Sequence, residues 1–417
     1  MPVVNNRNSR ALLPLLTAAM AIGPLLTYGL SATSALVIDS LGITAAQFGM
    51  LATLSFLAAA ALSLTFGRFS DRFPARALLV TIFAGAALSF VIAALSTNYL
   101  WLLAAMALSG AAQALSNPVT NRVISDNAPP AKRSPWIGVK QSGVQVSQLA
   151  AGVGCPTLAL AWGWRGPLWV GAAIAGISAL WAWRCAPSRN RSQRPASAPE
   201  RAAPSSDRTE RRTLPPAVWL FAAYALFSGA ALQATNVYLP LFAHDEMGLN
   251  LTVAGLTAAI AGLIGVTARI GWGRALSGRT GPFTLLLVLA SGSLLGALAL
   301  LGAELWGWLA LLWIGVGVHG ATALAANVVL MAGALRVVRT RTVGRASSAI
   351  AVGMYLGFAG GPALMGLLTD HTGGFATGWS AAAALYAVCV ALGLWGIRTS
   401  HAPTRSAASH EVDRLSL

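Results

Sequence analysis

Two ionisable side chains interrupt apolar stretches of this sequence. Arg269 stands five residues before Arg274 near the end of one stretch, and His319 stands near the middle of another. If these stretches cross a bilayer, each group needs a reason to be there, because a central charge costs about 2.5 to 3.5 kcal/mol on insertion scales. A guanidinium can hold a carboxylate through two parallel hydrogen bonds, and an imidazole can carry a proton near neutral pH.

Structural explanations compete with both roles. Arg269 could extend towards the headgroups at the membrane surface, and His319 could be a hydrogen-bonded packing group. Two further cations, Arg122 and Lys140, fall at the edges of apolar stretches and are expected to be anchors at the membrane rim.

Uncharged polar side chains share the apolar stretches with these groups. Amides and phenols that face lipid would lack hydrogen-bond partners, so we expect them to face each other or a bound solute. Gln141, Gln145 and Gln148 are spaced by four and three residues and therefore lie on one helical face. Bonds between helices would also explain them. The candidates for a binding site beside Arg269 and His319 are Tyr28, Gln113, Asn117, Gln145, Asn236 and Tyr355.

The elements that must position these residues are membrane helices. The chain has 417 residues, of which 56% are hydrophobic and 10% are charged, and its mean hydropathy is +0.66. A soluble domain could not cover so much apolar sequence, whereas a spanning helix needs about 20 mostly apolar residues. Twelve such stretches occur between residues 13 and 397. The sequence predicts an all-α integral membrane protein with twelve transmembrane helices.

The two halves of the chain repeat each other. Gly67-Arg68 recurs 206 positions later as Gly273-Arg274, and Pro156 maps onto Pro362 at the same offset. This register predicts two pseudo-symmetric six-helix bundles, 13–186 and 216–397, an arrangement that secondary transporters use. Glycines precede both prolines, so we expect these helices to bend there when the halves rock.

The net charge of +16 would suit a nucleic-acid partner, but the positions of the charges favour a membrane topology instead. The basic residues cluster in the loops on one side, which predicts that both termini are cytoplasmic and that the protein lies in the cytoplasmic membrane. Residues 1–12, 187–215 and 398–417 then form a cytoplasmic N-terminus, linker and tail. Membrane lipids are expected partners, and nucleic acid is not.

Residues 67–76, GRFSDRFPAR, resemble the loop motif between helices 2 and 3 of the major facilitator superfamily. The resemblance implies two halves that expose a central site to each side of the membrane in turn. It also implies that Asp71 locks the cytoplasmic gate by pairing with groups on the other half. Residues expected to act in gating are Gly67, Asp71, Arg72, Arg76, Pro156 and Pro362.

Residues 267–273, TARIGWG, are similar to the corresponding helix of monocarboxylate and oxalate-type carriers. In those carriers an arginine four residues before the glycine binds the substrate carboxylate. The resemblance implies that Arg269 does so here and that the solute is a small organic anion. A facilitator, an anion exchanger and proton co-transport through His319 all remain open.

Two other hypotheses concern function. The chain could export amphipathic drugs, or it could be a membrane enzyme or a sensor that no longer transports. The sequence has no Walker loop and no His-Asp, His-Glu or Cys-His constellation, so an enzyme is disfavoured. Cys155, Cys185 and Cys389 have no metal-binding spacing, and neither a metal nor a cofactor is expected.

Overall fold

The computed structural model describes residues 6–69, 73–187, 214–277, 280–337 and 343–400, and all regular structure in these ranges is helical. The first half contains α1 (Asn6–Ala32), α2 (Ser34–Leu41), α3 (Ala45–Phe69), α4 (Ala75–Ala94), α5 (Tyr99–Asn127), α6 (Pro130–Gln141), α7 (Gly143–Trp162) and α8 (Gly166–Cys185). The second half contains α9 (Pro216–Asp245), α10 (Leu251–Ser277), α11 (Pro282–Trp306), α12 (Leu309–Ala321), α13 (Ala326–Val337), α14 (Val343–Thr372) and α15 (Ala376–Ser400). A helix suits a bilayer because it satisfies its backbone hydrogen bonds internally.

Twelve segments within the described ranges are long and apolar enough to cross a bilayer. They have 19 to 30 residues each, which matches the hydrocarbon thickness at 1.5 Å per residue. The predicted fold class and number of spans are therefore confirmed.

Three spans are broken where the sequence predicts continuous helices. The first breaks at Thr33 between α1 and α2, and the fifth at Ser142 between α6 and α7. The tenth passes from α12 through a 3-10 turn, Ala323–Ala325, into α13. By contrast, the helix continues through Pro156 in α7 and Pro362 in α14. A proline removes only one backbone donor, and neighbouring helices can compensate for that loss.

The two halves meet through related helix pairs. The helices α3 and α14 pack together, and so do α7 and α10. Gly49 of α3 faces Pro362, and Gly255 of α10 faces Pro156, so that a methyl group added to either glycine would collide with the opposite helix. Gly255 and Pro362 lie 206 positions after Gly49 and Pro156. The repeat in the sequence is thus a two-fold relation in the structure.

The two ends of the molecule have different connections. We call the end where α8 stops and α9 starts the linker side, and the opposite end the far side; the linker side is the one predicted to be cytoplasmic. Five far-side turns each place a glycine at positive φ, between 58° and 73°. Side chains disfavour this conformation, so glycine permits these short connections. These glycines are Gly42, Gly163, Gly248, Gly307 and Gly373.

Hydrogen bonds join the two halves at the far side. The carboxylate of Asp370, near the end of α14, accepts from Ala45 N at 3.0 Å and from Ala46 N at 2.9 Å, at the start of α3. The Tyr238 hydroxyl donates to Ala45 O at 2.6 Å, and the Ser31 hydroxyl donates to Val237 O at 2.7 Å. A carboxylate at a helix N-terminus also gains from the helix dipole. The far side is therefore closed in this structure.

Candidate functional site

Arg269 lies between the two halves and contacts two of the broken spans. Its Nε–H donates to Leu324 O in the 3-10 turn at 2.9 Å, and its Nη1–H donates to Gln141 O at 3.3 Å. Gln141 O is available because the N–H of Gln145 bonds to Ser142 O instead, at the break of the fifth span. The side chain therefore points into the protein and joins second-half α10 to the first half, and it does not extend along lipid.

The guanidinium retains capacity for a ligand. It carries five N–H donors, and the two bonds above leave three. No carboxylate in the described ranges is paired with Arg269. The Tyr28 phenol on α1 is close enough to interact with Arg269 electrostatically. The described acidic residues all lie in the last turn of a helix or just after it; they are Asp39, Asp126, Asp245, Glu246, Glu304 and Asp370.

His319 belongs to a buried polar network across the halves. Its Nε2 lies 3.1 Å from Asn236 Oδ1, and Gln148 Nε2 donates to the same oxygen at 3.3 Å. Asn236 Nδ2 in turn donates to Gln233 Oε1 at 2.7 Å. The network joins α7 of the first half to α9 and α12 of the second. His319 and Asn236, both predicted site residues, are thus brought together with Gln148.

Glycines bring the helix of Arg269 close to the glutamines of α7. A methyl group on Gly265 would lie 3.3 Å from Gln145 Cγ, and one on Gly262 would lie 3.3 Å from Gln148 Cβ. Both contacts are tighter than an ordinary side chain would allow, so larger residues would push the two helices apart. Two of the three glutamines predicted to share a face, Gln145 and Gln148, therefore pack on the face of α10 that carries Arg269. The third, Gln141, is the last residue of α6 and is separated from them by the break at Ser142.

Three other predicted residues lie on α5 and α14. Asn117 of α5 lies close to Tyr355 of α14. The Tyr355 ring makes an edge contact with the ring of Phe358. The centroid of the Phe358 ring also lies 5.3 Å from that of Phe56. Gln113 packs against Gly23 of α1 within its own half. The structure thus places Asn117 and Tyr355 together and leaves Gln113 apart from them.

Lys140 is not the rim anchor that the sequence suggested. It is fully buried, and its Nζ donates to Thr120 Oγ1 at 2.8 Å and to Asn117 Oδ1 at 3.1 Å. No carboxylate in the described part of the chain is paired with it. The reason is that α6 begins at Pro130, so Lys140 lies almost three turns into a helix. The sequence carried one signal, since Pro130 suits the first turn of a helix.

The expected gating residues on the linker side are only partly described. Asp71 and Arg72 lie outside the described residues, and Gly67 lies within α3. Arg76, at the start of α4, donates from Nε to Ala186 O at 3.0 Å. This bond joins α4 to the end of α8 within the first half. Arg122 is the other expected rim residue. Its Nε lies 3.9 Å from Oδ2 of Asp126 near the end of α5.

Comparison with known proteins identifies relatives of this architecture. The family model described as Major Facilitator Superfamily matches residues 15–334. A bacterial homologue of the human lysosomal transporter Spinster, inward-facing and occupied, is 18% identical, with a TM-score of 0.71 over 93% of this chain and 96% of that one. The same homologue, inward-facing and unoccupied, gives 16% identity and a TM-score of 0.74 over 94% and 97%.

A second type of solved structure shares the fold. The nucleoside transporter NupG is 16% identical, with a TM-score of 0.69 over 94% of this chain and 99% of that one. At such low identities these likenesses concern the fold alone. No curated protein sequence matches this chain.

Proposed function

The chain belongs to the major facilitator superfamily and is a multi-pass membrane transporter of a small solute, not an enzyme, and we propose that this solute is an organic anion. The observation that carries the proposal is the Arg269 guanidinium, which lies between the halves with three N–H donors left over and no described carboxylate paired with it. A planar fork of donors matches a carboxylate through two hydrogen bonds.

The surrounding charges support an anion. Lys140 is a second buried basic group, in the first half, and the described acidic residues remain at helix ends. Charges of one sign around a low-dielectric site favour solutes of the opposite sign. An anion bound at Arg269 would also offset the cost of burying that cation.

Transport would follow from rocking of the two halves around this site. The far-side bonds of Asp370, Tyr238 and Ser31 would break as that side opens, and the Asp71 and Arg72 motif would then hold the linker side closed. Pro156 and Pro362 would move with the interfaces that contain them. Protons are the candidate coupling ion, with His319 as the carrier, because its imidazole contacts Asn236, and Gln148 of the first half bonds to the same Asn236 oxygen. We also propose that the membrane is the cytoplasmic one and that both termini are cytoplasmic.

A ligand screen tests the proposal. We expect carboxylate anions, but not neutral amphipathic compounds, to raise the melting temperature of the purified protein, because a ligand stabilises the state that it binds. A response of about 2.7 kcal/mol is expected at a hundredfold excess over Kd. Stabilisation by neutral amphipathic drugs alone would instead support drug efflux. Solute uptake into proteoliposomes distinguishes a transporter from a sensor that has lost transport.

Lys140→Met tests the electrostatic part of the proposal. We expect the affinity for an anion to fall about three- to tenfold, because a basic group adjacent to Gln141, whose carbonyl accepts from Arg269, is lost. The melting temperature of the ligand-free protein should change little, because removing a buried basic group offsets the loss of its hydrogen bonds to Thr120 and Asn117. Lys132→Met is the matched control, since Lys132 lies exposed on the same helix. If the anion affinity of Lys140→Met is unchanged, Lys140 does not contribute to solute binding.

A further inference from the structure

Two buried amide oxygens on α7 have no hydrogen-bond partner. The Gln145 and Gln148 side chains are each 1% exposed, and Oε1 of each lacks a partner among the described residues. A buried polar atom left unpaired costs about 1–3 kcal/mol, so a native structure rarely keeps such an atom without a use. Each is an acceptor that a ligand with a donor could satisfy.

The orientation of the Gln148 amide follows from its neighbours. Asn236 donates from Nδ2 to Gln233 Oε1, so its Oδ1 faces Gln148 as an acceptor. Gln148 must therefore present its Nε2 to Asn236, as observed at 3.3 Å, and its oxygen remains unpaired. The missing partner is a donor.

The two acceptors are arranged along the helix of Arg269. Gly265 faces Gln145 and Gly262 faces Gln148, four and seven residues before Arg269 on α10. At 1.5 Å per residue, these positions lie about 6 and 10 Å from Arg269 along the axis. A solute whose carboxylate is bound by Arg269 would place its chain beside both glutamines.

We propose that the solute is a polyhydroxylated carboxylate of about six carbons, whose hydroxyl groups donate to Gln145 and Gln148. The inference rests on the proposed function, in which Arg269 holds the carboxylate. Hydroxyl groups fit better than ammonium groups, because the Arg269 guanidinium would repel a second cation. The same rocking that frees Arg269 would expose the two amide oxygens, since all three lie at the interface of α7 and α10.

Gluconate and hexanoate test this proposal, since both are six-carbon monocarboxylates and only gluconate carries hydroxyl donors. With the full-length purified protein, we expect gluconate to raise the melting temperature at about tenfold lower concentration than hexanoate. Gln145→Met should reduce this difference several-fold, and its side chain has no observed hydrogen bond to lose. Gln148→Met is the second variant. Gln47→Met, on the far side, is the control and should leave the difference unchanged.

The outcomes separate the two proposals. If the two anions stabilise the protein equally and Arg269→Ala loses this effect, the proposal of a hydroxylated solute is wrong and the proposal of an organic anion stands. A gluconate preference that persists undiminished in both methionine variants would overturn the role of the two glutamines, because ordered water would then satisfy them. If neither anion stabilises the protein, the proposal that the solute is an organic anion is contradicted.

Discussion

Arg269→Ala is expected to abolish saturable anion uptake, with a loss of affinity of about 100-fold or more. The variant removes the charged fork, and truncating one partner of a buried charge-assisted contact costs about 2–5 kcal/mol. The anion affinity of Arg269→Lys should lie between those of the wild type and Arg269→Ala, because lysine keeps the charge and loses the planar geometry. Uptake of labelled anion into proteoliposomes, together with ligand-induced thermal shifts, measures both effects.

A structural role for Arg269 would produce a different pattern. The side chain also satisfies Gln141 O and Leu324 O at the two breaks, so Arg269→Ala is expected to lower the melting temperature of the ligand-free protein. Arg269→Gln keeps a donor and should lose less stability, yet it should still fail to bind anions. Arg274→Ala, at an exposed position five residues on, controls for loss of charge on the same helix. Uptake by Arg269→Gln at the level of Arg274→Ala would refute the binding role.

Gly255→Val should prevent closure of the far side and reduce transport by at least tenfold. A methyl group on Gly255 would lie 2.5 Å from both Gly152 O and Pro156 Cγ. Overpacking typically costs about 1–3 kcal/mol, which would shift a two-state equilibrium about 5- to 150-fold towards a far-side-open form. Double electron–electron resonance spectroscopy measures the distance between spin labels on Thr97 and Glu246 after the native cysteines are replaced. We expect this distance to be longer in Gly255→Val than in the protein with the native glycine.

The same helix supplies the control. Gly271 has open space where a methyl group would stand, so Gly271→Val should leave both the distances and transport near wild type. Gly49→Val should reproduce the Gly255 result, because Gly49 occupies the related position against Pro362. A far side that remains closed in both Gly255→Val and Gly49→Val would rule out these contacts as determinants of closure.

Parts of the site could be found from the sequence because they break a local pattern. Arg269 and His319 are conspicuous in apolar surroundings, and the spacing of Gln145 and Gln148 places both on one face of α7. Gln141, which the same spacing put on that face, is the last residue of α6 and lies before the break at Ser142. Lys140 was misplaced because residues 130–135, PAKRSP, have the composition of a loop. Its burial depends on Asn117 and Thr120, which lie 23 and 20 residues earlier on a different helix. No local pattern records such a contact.

The sequence by itself determined the class of protein, because hydropathy, segment length and a register of 206 residues depend on the chain alone. The helical form of the twelve spans follows from the cost of exposing backbone polar groups to lipid. Only the tertiary structure decided which side chains meet. Arg269 reaches Gln141 O across 128 residues, and Asp370 reaches Ala45 N across 325, through breaks and helix ends that apolar sequence does not distinguish. Packing between helices sets these contacts, and packing depends on all twelve spans together.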